Sequence, residues 1–147
     1  MIRYRGAGLD NVYLVNGYTK HTLKSGEEAI SIHNLEGLHK AIATELAGRV
    51  GDMDGATFRF LRKYADMGQR AFGDLVGSSE NTVSNWERSV TPVPGGYAEL
   101  LRALVRELVS GNAAIAQAVD RYNHLDRERR KVELNFSEVN GDWALAA

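Results

Sequence analysis

The chain has 147 residues, 44% of them apolar and 25% charged, with no cysteine and a formal net charge of −1. Disulfides and thiolate metal sites are thereby excluded, as in proteins of a reducing cytoplasm, and no apolar run reaches the roughly 20 residues of a membrane helix or forms a signal-peptide core within MIRYRGAGLD. A near-neutral chain has no general attraction to nucleic acid, so any DNA contact must rest on locally clustered charge.

Residues 12–15, Asn16-Gly17 and residues 18–21 predict a strand, a tight turn and a second strand, because Asn-Gly supplies the positive φ angles of a two-residue hairpin. Ser25, Gly26, Glu27 and Glu28 interrupt the pattern, and residues 29–33 form a third short strand. Asn34 then caps a helix reaching to about Gly48, with Leu35, Leu38, Ile42 and Leu46 on one face. Residues 1–50 thus make a small β/α module.

The stretch GRVGDMDG, residues 48–55, is glycine-rich and polar and is read as a linker. A second domain is expected over 55–125. Asp54 caps its first helix, on which Phe58, Leu61 and Ala65 line one face. Residues 69–76 form the next helix, with Ala71, Phe72, Leu75 and Val76 as its apolar stripe. Gly77-Ser78 makes a corner, and Ser79 caps a further helix in which Val83 and Trp86 share a face. Glu80, Asn81, Ser84, Asn85 and Arg88 are left on its other faces.

Pro92 and Pro94 force a break, since proline cannot continue a helix interior. Residues 97–109 are amphipathic, with Tyr97, Leu100, Leu101, Leu104, Val105 and Leu108 facing one way and Arg102, Arg106 and Glu107 another. A last helix follows Gly111-Asn112, with Ile115, Val119, Tyr122 and Leu125 inward. These two helices are either core or a dimer surface.

From 130 to 147 the period changes. Val132, Leu134 and Phe136 alternate with Lys131, Glu133, Asn135 and Ser137; Asn140-Gly141 marks a turn, and Trp143 and Leu145 alternate after it. An isolated hairpin is marginal in water, so this one is expected to pair with the N-terminal strands of its own subunit or a partner's.

A buried corner presenting a polar-faced helix is the plan of a helix-turn-helix, whose second helix enters the major groove. Gln69 opens the first motif helix, where side chain and amide can meet a phosphate at the positive helix end. Arg70 and Arg88 are candidate phosphate partners, and Thr82 and Ser84 either reach phosphates or stay solvated. Arg127, Arg129, Arg130 and Lys131 are read as a solvated turn. Catalysis is not expected: His21, His33, His39 and His124 are scattered without HExxH spacing, and neither a phosphate-cradling glycine loop nor a nucleophile elbow occurs. No cofactor is implied.

Over residues 60–92 the chain resembles the Cro and phage-repressor (XRE) type of helix-turn-helix. The matching residues are Leu61-Arg62, Gln69, Phe72-Gly73, Val76-Gly77, Ser79, Thr82-Val83-Ser84, Trp86-Glu87-Arg88 and Pro92. Gly68 stands where that family usually has Ser or Asn, and Ser89 where it usually has Gly. The resemblance implies an α+β, mostly α chain built on a five-helix, lambda-repressor-like domain. It implies a dimeric regulator, a repressor, reading palindromic double-stranded DNA. Glu80, Asn81 and Asn85 would stand at base edges beside Ser79, and Arg62 and Glu87 would form a structural ion pair. The layout of GLDNVYLVNGY, SIHNLEGLHKAI and TFRFLRK is similar to MqsA-type antitoxins, whose N-terminal domain holds zinc through cysteines. This chain has none, so zinc is not carried over. The alternative function is an antitoxin that neutralises a toxin through residues 1–50 and represses its own operon.

Overall fold

Asn34 is where the N-terminal strands end and the helices begin: it sits at φ 48°, and its side chain accepts a hydrogen bond from the Gly37 amide. The computed structural model describes residues 1–123 and 133–146. It is an α+β fold, mostly helical, with three small antiparallel sheets among the described residues. The helices are α1 (Leu35–Ala47), α2 (Gly55–Tyr64), α3 (Gln69–Val76), α4 (Glu80–Glu87), α5 (Gly95–Val109) and α6 (Ala113–Asn123). None is long and apolar enough to cross a membrane. His124, Leu125, Arg127, Arg129, Arg130, Lys131 and Val132 lie outside the described residues, as does the Tyr122 side chain.

The strands pair differently from the expectation. β1 (Ile2–Arg3) pairs with β2 (Tyr13–Leu14), while β3 (Tyr18–Thr22) pairs with β4 (Glu28–Ile32). Gly17 does adopt a positive φ of 81°, but the chain there passes from one sheet to the other instead of closing a hairpin. The longer ladder decides the pairing: β3 and β4 match five residues around the turn in which Gly26 N–H donates to Leu23 O, and His33 N–H extends it to Gly17 O. β2 is left to β1, joined by the Tyr4 N–H bond to Val12 O.

One hydrophobic core runs from Leu9 through Ala43 and Ala47 of α1, Phe58 and Leu61 of α2, Phe72 of α3 and Val83 and Trp86 of α4 to Ala98, Leu101 and Val105 of α5. The buried centre of α1 is alanine, not the predicted leucine stripe: Leu38, Ile42 and Leu46 flank it half-buried, and Leu35 is exposed. Small residues at 43 and 47 let α1 lie close against α5. Leu75 and Leu100 likewise fall at the edges of their faces and stay exposed. Ile115 and Val119 of α6 are half-buried, with Val119 against the core.

The arginines of α5, expected on the face away from its apolar stripe, tie the helix to the end of α1 and the segment after it, and Arg102 is buried in doing so. Arg102 is buried and donates from Nη2 to Gly51 O at 2.6 Å, and Arg106 donates from Nη1 to Ala47 O at 2.7 Å. One helical turn apart, they satisfy carbonyls at the end of α1 and in the segment after it, groups a helix terminus leaves without backbone partners. Arg106 also holds Glu99, whose carboxyl lies below its usual range chiefly through the hydrogen bond from that guanidinium. Stretch 48–54 is therefore fastened to α5, with Met53 buried beneath it.

The C-terminal hairpin corrects the same-subunit half of another expectation. β5 (Phe136–Val139) pairs with β6 (Asp142–Leu145) through Asn140-Gly141, both at positive φ. This pair is a sheet of its own and does not hydrogen-bond to the N-terminal strands. Each N-terminal pair is closed by its own partner strand, and all eight residues of β5 and β6 are exposed.

Candidate nucleic-acid interface

The corner between α3 and α4 is set by local stereochemistry. Gly77 ends α3 at φ 74°, a left-handed conformation that suits glycine. Ser78 N–H returns to Gly73 O at 2.7 Å, an approach so close that a Cβ on Gly73 would collide with Ser78 O. Ser79 then caps α4: its hydroxyl accepts from Thr82 N–H at 3.1 Å and shares a second hydrogen bond with Thr82 Oγ1. Gly68, before α3, supplies no side-chain cap.

Aromatic packing fixes α4 against α2 and α5. Phe58 meets Phe72 edge-on at 5.0 Å between centroids and Trp86 at 5.7 Å, and Trp86 lies 5.6 Å from Tyr97. Edge-to-face pairs of this kind are worth about 0.5–1.5 kcal/mol each beyond their buried area. Tyr97 also donates its hydroxyl to Val76 O, tying α5 to the end of α3. At the far end of α4, Gly55 is buried against the Trp86 and Glu87 carbonyls, where a Cβ would overlap both.

Arg62 and Glu87 form a bidentate pair, with Nε 2.6 Å from Oε2 and Nη2 2.9 Å from Oε1, and their side chains are only 8% and 3% exposed. Arg62 Nη1 donates to Met67 O, and Gln69 Nε2 donates to Glu87 Oε1 at 3.1 Å. The end of α2, the connection to α3, the start of α3 and the end of α4 are thus drawn together around the Arg62–Glu87 pair. Gln69, anticipated as a phosphate contact, has one side-chain donor committed to this network and is half-buried.

The remaining anticipated residues divide by exposure. Arg70, Ser79, Glu80, Asn81 and Arg88 are exposed, whereas Thr82, Ser84 and Asn85 are half-buried. Arg88 folds back along α4, donating from Nε to Ser84 Oγ at 3.3 Å and from Nη2 to Asn85 Oδ1 at 2.7 Å. Asn85 is therefore held in one orientation with its amide nitrogen still available as a donor. The face combines two arginines with one glutamate and several neutral amides and hydroxyls. It is suited to directional hydrogen bonding more than to bulk charge attraction.

Two cations near this face were not singled out in the sequence. Arg59 and Lys63, four apart on α2, are exposed on the side away from Phe58 and Leu61, and Arg59 Nε lies 4.0 Å from Glu87 Oε1. Their i, i+4 spacing was the available signal. Two of the histidines have side-chain partners: His33 Nε2 shares a hydrogen bond with Thr19 Oγ1, and His39 Nε2 with the Tyr4 hydroxyl, both at 2.7 Å. No protein-family model, curated protein or solved structure matches this chain.

Proposed function

We propose that α3 and α4 form a helix-turn-helix through which the protein, as a dimer, binds double-stranded DNA in a sequence-specific way and regulates transcription. The observation that carries this is the division of α4. Val83 and Trp86 are buried in the core, Ser79 caps the start, and Glu80, Asn81 and Asn85 stand outside that buried stripe.

A helix held so firmly can present its polar side chains in a fixed register to base edges in the major groove. Asn81 and Asn85 carry the paired donor and acceptor that adenine N6 and N7 require, and the Glu80 carboxylate can accept from cytosine N4. The first-turn amides of α3 have no side-chain cap, so phosphate oxygens can take that role at the positive end of the helix dipole. Arg70 and Arg88 supply local positive charge. With a net charge of −1, affinity must come from two such faces acting together, and a two-fold dimer reads a palindrome with half-sites about 34–36 Å apart.

Selection of bound sequences from random duplexes tests the proposal. Recovery of an enriched palindrome at moderate salt supports it. No enriched site, with the protein folded, contradicts it.

A further inference from the structure

Between the loop after β1, the start of α1 and the outer face of α2 lies an open groove of about 1110 Å3. Arg5, Lys40, Arg59 and Lys63 line it, facing Glu36 and Glu87. Glu87 is already held by Arg62, so four cations face a single carboxylate that no arginine neutralises. Arg5, Lys40 and Lys63 form no ion pair among the described residues. In a chain of net charge −1, gathering these cations into one concavity is unfavourable on its own. A cleft in which cations outnumber carboxylates concentrates the field and draws in an anion.

The floor is aromatic. His39 meets Phe60 edge-on at 5.7 Å, and Phe60 stacks on Tyr64 at 6.5 Å with ring planes 22° apart. Tyr64 is half-buried and borders the groove. Gly6, Ala7 and Gly8 also line it and add almost no side-chain bulk. Small-molecule sites combine such an apolar floor with a few placed polar groups. Cations at the rim suit phosphate oxygens and the floor suits a planar ring.

We infer that this groove binds a small phosphate-bearing molecule with a planar ring, by class a nucleotide. The site is independent of the DNA reading of α4. A polynucleotide backbone would satisfy the rim cations but would leave the recessed aromatic floor uncovered.

Calorimetric titration of the full chain with ADP, inorganic pyrophosphate and a random-sequence duplex tests it. ADP is expected to bind once per chain and more tightly than pyrophosphate. Lys40→Gln combined with Lys63→Gln should weaken ADP by about tenfold or more, because charge-assisted hydrogen bonds to phosphate are lost. Both residues are exposed, so the fold should survive, as an unchanged melting temperature would show. Arg49→Gln, which removes a cation outside the groove paired with Glu45, should leave ADP affinity unchanged. Absence of heat with ADP, equal affinity for ADP and pyrophosphate, undiminished ADP binding by the double variant, or loss of duplex binding alone in that variant would each overturn the inference.

Discussion

The chain has two tryptophans, and they are treated in opposite ways. Trp86 on α4 is 4% exposed, set among Phe58, Tyr97 and the rest of the core, whereas Trp143 on β6 is 70% exposed. The elements around them differ in the same sense. α4 is eight residues long and is fixed by a serine cap, a buried ion pair and aromatic contacts from two other helices. The hairpin has regular pairing and good turn residues, yet Phe136, Trp143 and Leu145 share a face that remains exposed. Local turn chemistry is enough to shape a hairpin; only burial gives an element a fixed place in a core.

The comparison can be broken first at Glu87. Arg62→Ala leaves a carboxylate buried without its bidentate partner, and loss of one member of such a pair costs about 3–5 kcal/mol. Urea unfolding should show this as a large fall in midpoint. An unchanged midpoint would mean that the pair does not brace the corner. Gly55→Ala comes next, because the added methyl meets the Trp86 and Glu87 carbonyls and overpacking costs about 1–3 kcal/mol. Thermal melting should report it, and a neutral result would mean that α2 and α4 can separate without loss.

Smaller effects sharpen the contrast. Ser89 follows α4 at φ 58°, a conformation that costs a non-glycine residue roughly 1–2 kcal/mol. Ser89→Gly relieves that cost but adds unfolded-state freedom worth about 0.4–1 kcal/mol, so a net gain of about 0.5 kcal/mol is expected in chemical unfolding. Trp143→Ala should change stability by no more than about 0.5 kcal/mol, as surface substitutions do. A drop like that expected for a core tryptophan would show that the apolar hairpin face is covered in solution.

Much of the corner was legible in the sequence. The bounds of α3, the Gly77-Ser78 turn, the Ser79 cap and the burial of Val83 and Trp86 follow from spacing and capping chemistry, which act over a few residues. Asn34 and Asp54 were readable as caps for the same reason. What escaped was set by distant partners. Asn16-Gly17 announces a positive φ but does not say which strands will pair across it. Helical periodicity finds a face without finding its centre, so Leu35, Leu75 and Leu100 were placed inward and Ala43 and Ala47 were overlooked. Arg102 was placed away from the apolar stripe, and nothing local reveals that Gly51 O lies within its reach. Asn81 and Asn85, proposed to read bases, stand on the legible part. The groove cations, brought together from β1's loop, α1 and α2, stand on the other.

We propose that the polar face of α4 reads bases. Its most direct test is the ratio of specific to random-duplex affinity for Asn81→Ala combined with Asn85→Ala, measured at one salt concentration beside the parent chain. Each good bidentate contact is worth about 1–3 kcal/mol of discrimination, so the ratio should fall by at least about tenfold while the melting temperature stays within a few degrees and random-duplex binding persists. A ratio equal to the parent's, in a folded variant, would contradict the account.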